Sequence, residues 1–150
     1  MAIKFYSHKN EHGWGSNFYA SPIELKGKTW PTTEHYFQAQ KVAGTKWETK
    51  IRKCKAPMDA ALMGRRKDLP LRSDWEQVKD DVMREAIHAK FTQHPDLKEK
   101  LLATGDEYLI EHTVKDKYWA DAGDGSGKNM LGKILVEERA KLRETLKAKK

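Results

Sequence analysis

The sequence predicts a single domain of α+β class, mainly helical, with a small β-hairpin or sheet near its N-terminus. Three observations predict it. At 150 residues the chain is long enough to bury a core and short for two ordinary domains. Apolar residues recur at helical spacing from about residue 33 onward. The dipeptide Lys26-Gly27 stands between Ile23, Leu25 and Trp30, which is the pattern of a tight hairpin. Charged residues make up 34% and mean hydropathy is -0.86, so the core has to come from the few periodic stretches.

Taken in order, Ala2 to Ser7 alternates Ile3 and Phe5 with polar neighbours and predicts a short strand. Residues 7–17 carry turn chemistry throughout. His8 and His12 have the spacing of a helical metal pair, but the segment is a poor helix without a third ligand, so they read as loop histidines and no metal is expected. Asn17, Phe18 and Tyr19 either stack on a planar base or begin the next strand. After the hairpin, Pro31 and two threonines signal a helix from about Thr33 to Val42. Glu34, Gln38 and Lys41 share one face of it and Tyr36, Ala39 and Ala43 mark another, which predicts one polar and one buried side.

Trp47, Ile51 and Cys54 suit a helix after Gly44-Thr45, and Pro57 opens a short one that Gly64 ends before the basic loop Arg65-Arg66-Lys67. Ser73 and Glu76 form a capping box ahead of a helix through Val78, Val82, Ala86 and Phe91. Trp75, in its first turn, either staples the helix to the core or walls a bound ring. Pro95 begins a further helix closed by Gly105, and Tyr108-Leu109-Ile110 predicts another strand. Last comes the stretch Trp119, Asp121, Gly123, Asp124, Gly125, Ser126, Gly127, Lys128, Asn129, ahead of a helix carrying Leu131, Ile134, Leu135, Leu142 and Leu146. Converging N–H groups of a glycine loop at a helix N-terminus suit a phosphate. Ala122 and Asn129 exclude a Walker A loop, and too little chain follows for a dinucleotide-binding unit.

The net charge is +7, of which +5 falls between Arg139 and Lys150. Such a concentration reads first as a solvated helix end and second as a basic nucleic-acid module. The lone Cys54 excludes an internal disulfide and a thiolate zinc cluster. No apolar run long enough for a membrane span and no signal segment are present, so an intracellular protein is expected, cytoplasmic or, as the alternative, nuclear.

Asn17-Phe18, the run from Gly27 to Lys41, Met63-Gly64-Arg65 and the run from Trp119 to Gly132 together closely resemble the YbiA-like family of the NADAR superfamily. The resemblance covers nearly the whole chain. It implies a compact, mainly helical α+β domain and N-glycosidase chemistry that cleaves a ribose C1–N bond without a cofactor. Substrates in the family are phosphorylated intermediates of riboflavin synthesis, of phosphoribosyl-pyrimidine type, or ADP-ribose attached to guanine of DNA or RNA. Glu34, Trp75, Asp116 and Trp119 match positions that the family places at its active site. Ala120 and Ala122 depart from it, since relatives often carry Gly there.

Cleavage of a C–N glycosidic bond builds positive charge at C1, which a carboxylate stabilises and a nucleophile captures. Glu34 and Asp116 are the candidate carboxylates, with Glu34 activating water. Lys28, on the strand returning ahead of the Glu34 helix, is a candidate amine nucleophile through a Schiff base, provided burial or a nearby cation releases its proton. Trp75 and Trp119 would wall the base, with Phe18 able to stack. Asn17, Gln38 and Asn129 would read sugar or base edges. Gly123 to Lys128 with Arg65 would take phosphate, and His35 would orient substrate or brace the site. The alternative is a non-catalytic module that binds ADP-ribose or a related nucleotide in the same pocket.

Overall fold

The hairpin forms where its turn demands it: in the computed structural model, which describes residues 2–148, Lys26 and Gly27 take φ of 55° and 74°. Two positive values at the tip give the twist that joins antiparallel strands without splaying them. The strands are β2 (Ile23–Leu25) and β3 (Lys28–Trp30), with Ile23 opposite Trp30 and Leu25 opposite Lys28. Both Ile23 and Trp30 are fully buried. The remaining elements are β1 (Ala2–Phe5), α1 (Thr33–Gln40), α2 (Lys46–Arg52), α3 (Pro57–Gly64), α4 (Trp75–Gln93), α5 (Pro95–Ala103), β4 (Tyr108–Glu111) and α6 (Met130–Ala148). Helix dominates and the two sheets have two strands each, as the α+β reading expects. No described helix is long and apolar enough to cross a membrane.

The chain divides into two compact units. The first to be described is contiguous, Ala20–Lys90, and holds the hairpin, α1, α2, α3 and most of α4. At its centre is α1, which packs on α2, α3 and β3. Thr32 caps it by accepting from the His35 N–H at 3.1 Å, as the threonines before it predict. The expectation of one polar face fails: all eight residues of α1 are buried. Trp30 meets Tyr36 edge-on at 5.0 Å, and the Tyr36 hydroxyl donates to Glu85 on α4. Thr45 caps α2 and Pro57 opens α3. The predicted capping box of Ser73 and Glu76 gives way to a later start. α4 begins at Trp75, the Asp74 carbonyl accepts from Val78, and the Asp74 carboxylate grips Arg72 through two bonds of 2.6 and 3.0 Å.

The other unit joins the described residues up to Tyr19 with those from Phe91 onward. Here β1 pairs with β4 in parallel, Ala2 opposite Tyr108 and Phe5 opposite Glu111. α6 packs on β4 and α5, with Leu131, Ile134, Leu135 and Leu142 buried. Its approach to β4 is close at Gly132, where a Cβ would lie 1.9 Å from the Leu109 carbonyl oxygen. The basic end of the chain is less free than its composition suggests. Arg139 is 4% exposed and donates to Thr104 Oγ1 and the Glu107 carbonyl, both at 2.8 Å. Arg143 holds Asp106 and the Gly105 carbonyl. Two of the six cations counted toward a solvated tail therefore brace α6, while Lys149 and Lys150 lie outside the described residues.

Candidate active site

Of the predicted residues, Lys28, Glu34, His35, Gln38, Arg65 and Trp75 belong to the contiguous unit. Glu34 is 7% exposed in the first turn of α1, where the helix N-terminus favours a negative charge. Its Oε2 accepts from Gln38 Nε2 at 3.0 Å, one turn on. A carboxylate can only accept, so it fixes the amide with nitrogen toward Glu34 and oxygen away. Gln38 Oε1 is left buried with no hydrogen-bond partner among the described residues. Gly64, the last residue of α3, lies against this amide; a Cβ there would stand 2.2 Å from Gln38 Oε1. Lys41 follows Gln38 by three residues, so Glu34, Gln38 and Lys41 run along one face of the helix.

Lys41 leads from the buried carboxylate into open space. With Val42, Gly64, Arg65, Arg66, Lys67, Leu69, Leu71 and Trp75 it lines a cavity of about 400 Å³, within the range of small-molecule sites. Its ammonium lies 5.8 Å from the Phe37 ring centre and 5.9 Å from that of Trp75, and reaches the Gly64 carbonyl at 3.5 Å. Burial holds the Lys41 amine below the ordinary lysine range; the Glu34 carboxylate opposes this and Arg65 adds to it. Trp75 is at once staple and wall, edge-on to Phe37 at 5.1 Å while lining the cavity. Arg66 is held by Asp68 at 2.5 and 3.0 Å and lies over Trp47 at 5.1 Å, as do Lys46 at 5.4 Å and Lys50 at 4.5 Å. Arg65 and Lys67, both exposed, stand at the cavity wall. The sequence marks Arg65-Arg66-Lys67 as a basic loop but assigns only Arg65 to a phosphate, because nothing local says which cations will share a wall.

Two predicted groups in this unit are committed elsewhere. The Lys28 ammonium is bound to Glu48 Oε2 at 2.8 Å. Burial would raise Glu48, but the bonds from Lys28 and the Gly44 N–H hold it below the usual carboxylate range. The burial or nearby cation that a Schiff-base lysine requires is found at Lys41. His35 is fully buried. Its Nε2 donates to the Cys54 carbonyl at 2.9 Å, which makes Nδ1 the acceptor of the Thr32 hydroxyl at 2.8 Å. With both nitrogens occupied, His35 braces the helix start and presents no group to a substrate. Burial holds it below 6.5, against the opposing pull of the Cys54 carbonyl and Asp59.

The second unit carries Asn17, Phe18, Asp116, Trp119 and the glycine-rich stretch. Asn17 is buried, and Phe18 lies 6.2 Å from the His8 ring. Asp116 Oδ1 accepts from the Tyr118 and Trp119 N–H groups at 2.8 and 2.9 Å, holding the Trp119 turn, and Tyr118 meets Trp119 edge-on at 4.9 Å. The phosphate cradle expected of Gly123 to Lys128 does not form, because its donors are already bonded. Gly125 and Gly127 donate to the Asp121 carbonyl, Lys128 to Lys117, Asn129 to Ala120, Met130 to Tyr118 and Leu131 to Trp119. Gly123 donates to Asp121 Oδ1, and Ser126 donates to Asp124 Oδ1 with both N–H and hydroxyl. Lys128 turns onto the Tyr118 ring at 5.4 Å.

Asp121 is the knot of this loop. It is 5% exposed, and its carboxylate also accepts from the Thr113 N–H at 3.2 Å and meets His112 Nδ1 at 2.7 Å. Burial pushes it up, but His112 and the Gly123 N–H prevail and hold it below the usual range. Asn129 takes φ of 51° and plugs β4, its Oδ1 accepting from Glu111 and its Nδ2 donating to Leu109. It reads strand backbone where a sugar or base edge was expected. His112 went unnoticed in the sequence because its partner is nine residues away across a turn.

The family described as the NADAR domain matches residues 4–143. An N-glycosidase YbiA from Escherichia coli is 54% identical over 140 residues, covering 93% of this chain and 88% of its own. An N-glycosidase from Nostoc punctiforme is 40% identical over 149 residues, covering 97% and 96%. A riboflavin biosynthesis protein from Vibrio vulnificus is 40% identical over 142 residues, 95% of this chain and 39% of that longer one. The solution structure of the Escherichia coli YbiA protein superposes with a TM-score of 0.89 at 53% identity, covering 97% of this chain and 87% of that one.

Proposed function

The chain belongs to the NADAR domain family and is an N-glycosidase, and from that premise we propose that it hydrolyses the ribose C1–N bond of a phosphorylated, nucleotide-like compound of phosphoribosyl-pyrimidine type. The observation that carries this reading is the Glu34, Gln38, Lys41 row on α1, leading from a buried carboxylate to a cavity with a Trp75 wall and cations at Lys41, Arg65 and Lys67. A relative named for riboflavin biosynthesis supports a substrate from that chemistry. Trp75 takes the heterocycle on its face, and Arg65 with Lys67 takes the phosphate.

As the C1–N bond lengthens, positive charge grows on C1 and the ring oxygen, and Glu34 stabilises it. Glu34 accepts a proton from water, the water oxygen bonds to C1, and the electron pair of the broken bond leaves with nitrogen, which takes up a proton. Gln38 holds the Glu34 carboxylate in place by donating to it. The covalent alternative at Lys28 requires that side chain to leave Glu48 and lose a proton before it attacks C1.

A second reading, ADP-ribose removed from guanine in DNA or RNA, is favoured by the three cations around Trp47, which suit a phosphate backbone. One experiment tests both. Purified protein is given a phosphoribosylamino-pyrimidine and an ADP-ribosylated oligonucleotide, and released base and sugar are identified by mass, with and without borohydride. Free base and sugar phosphate from the first substrate are expected. Release from the oligonucleotide alone overturns the small-molecule reading, release from neither sinks both, and a borohydride-trapped adduct at Lys28 replaces direct hydrolysis by the covalent route.

A further inference from the structure

We propose that Lys41 is the general acid of the reaction, protonating the departing nitrogen while Glu34 takes a proton from water, so that a single helix face supplies both proton transfers. The inference rests on the N-glycosidase reading above and adds the group that a nitrogen leaving group needs. An amine expelled from C1 is a poor leaving group as its anion, and a positioned acid lowers that barrier.

Three features of the site carry the assignment. First, Lys41 lines the cavity beside Trp75, where the heterocycle would stack, so its ammonium stands on the leaving-group side. Second, no carboxylate grips it: among the described residues its hydrogen-bond partner is the Gly64 carbonyl at 3.5 Å, at the outer limit of such a bond. Its remaining N–H groups are therefore available to a ligand. Third, Lys41, the C-cap of α1, follows Glu34 by seven residues, with Gln38 between them donating to Glu34 and carrying a buried Oε1 that has no partner among the described residues. That oxygen is packed against Gly64, which itself lines the cavity with Lys41.

The cycle balances. The water oxygen bonds to C1 and gives one proton to Glu34; the C1–N pair passes to nitrogen, which takes a proton from Lys41. Glu34 leaves the step neutral as the acid and Lys41 neutral as the amine. Transfer of one proton from the first to the second restores both.

The charged groups around Lys41 agree with the role. Glu34 on its own helix favours the ammonium; Arg65 opposes it. Arg66 and Lys67 share the cavity wall, with Arg66 neutralised by Asp68. Arg72, whose N–H donates to the Lys41 carbonyl, is paired with Asp74. Burial and Arg65 together keep Lys41 below 10.5, which makes it a readier proton donor than a solvated lysine.

The test is steady-state kinetics of wild type, Lys41→Arg and Lys41→Met on whichever substrate the product assay identifies, with melting temperatures alongside. Arginine keeps the charge but does not release a proton. For Lys41→Arg, kcat is expected to fall by about 100-fold or more with KM within about threefold. The wild-type kcat is expected to fall at alkaline pH, below the ordinary lysine value of 10.5, and that limb should vanish in both variants. Added methylammonium should restore part of the activity of Lys41→Met. A Lys41→Arg variant with near wild-type kcat overturns the proposal, because an anchoring cation would then suffice. A wild-type kcat that stays flat to pH 10.5 overturns it too, even if neither variant folds. A wild-type protein that cleaves no N-riboside fails earlier, and that outcome belongs to the parent reading.

Discussion

Helix α1 and the loop from Trp119 to Asn129 look alike in sequence, both crowded with polar groups at a helix start, yet they are opposites in structure. The loop is the more exposed, but its donors are almost all engaged by its own carbonyls and by Asp121. α1 is buried throughout, and it and its C-cap Lys41 still leave polar atoms open among the described residues: an unpartnered Gln38 oxygen and a Lys41 ammonium on one long bond. Binding capacity follows from hydrogen-bonding potential that the fold leaves open. By that measure we place the chemistry on α1 and propose that the loop is scaffold.

The sharpest way to break this contrast is Glu34→Gln. It is expected to lower kcat by about 10²–10⁴-fold while melting within about 4 °C of wild type. A variant with near-normal turnover in a product-release assay would remove α1 from the chemistry.

The next test targets the loop. In Gly127→Ala the new Cβ would stand 2.3 Å from the Ala120 carbonyl oxygen, and stability should drop by about 3 kcal/mol. Gly125→Ala meets open space at φ of 90° and should cost only about 1 kcal/mol. Chemical denaturation reads both. Equal losses would mean that the loop's internal closure is not what holds it. Turnover of the Gly125→Ala protein should be close to normal if the loop is scaffold.

A smaller effect sharpens the α1 side. His35 is neutral in the fold, below the 6.5 of a free imidazole, so under acid the unfolded chain binds the proton first. Stability is therefore full above about pH 6.5 and falls as pH is lowered from there until the folded value is reached. Denaturant midpoints measured between about pH 7.5 and 5 should show this slope, and His35→Gln should flatten it.

Much of this was legible in the residues. The hairpin followed from Lys26-Gly27, the cap of α1 from Thr32, the opening of α3 from Pro57 and the cavity wall from Trp75. What escaped had physical reasons. The polar spacing of α1 reads as a surface face, because a sequence does not reveal that Glu34 and Gln38 satisfy one another inside the protein. A glycine-rich run reads as an anion cradle whether its N–H groups point outward or, as here, close on carbonyls at Lys117, Tyr118, Trp119, Ala120 and Asp121. Lys41 stood out as a residue that orients substrate or braces the site, but not as a proton donor, since that value comes from Gly64, Arg65 and Trp75, which lie far along the chain.

The parallel pairing of β1 with β4 carries a kinetic consequence. Phe5 and Glu111 sit opposite one another, so on the ribosome the first strand has no partner until the segment around residue 108 has emerged. Unit Ala20–Lys90 is contiguous, and its contacts can close as soon as it is synthesised, before long-range loop closure is required. The order of synthesis therefore lets the α1 framework assemble first and leaves β1 to be paired only after it.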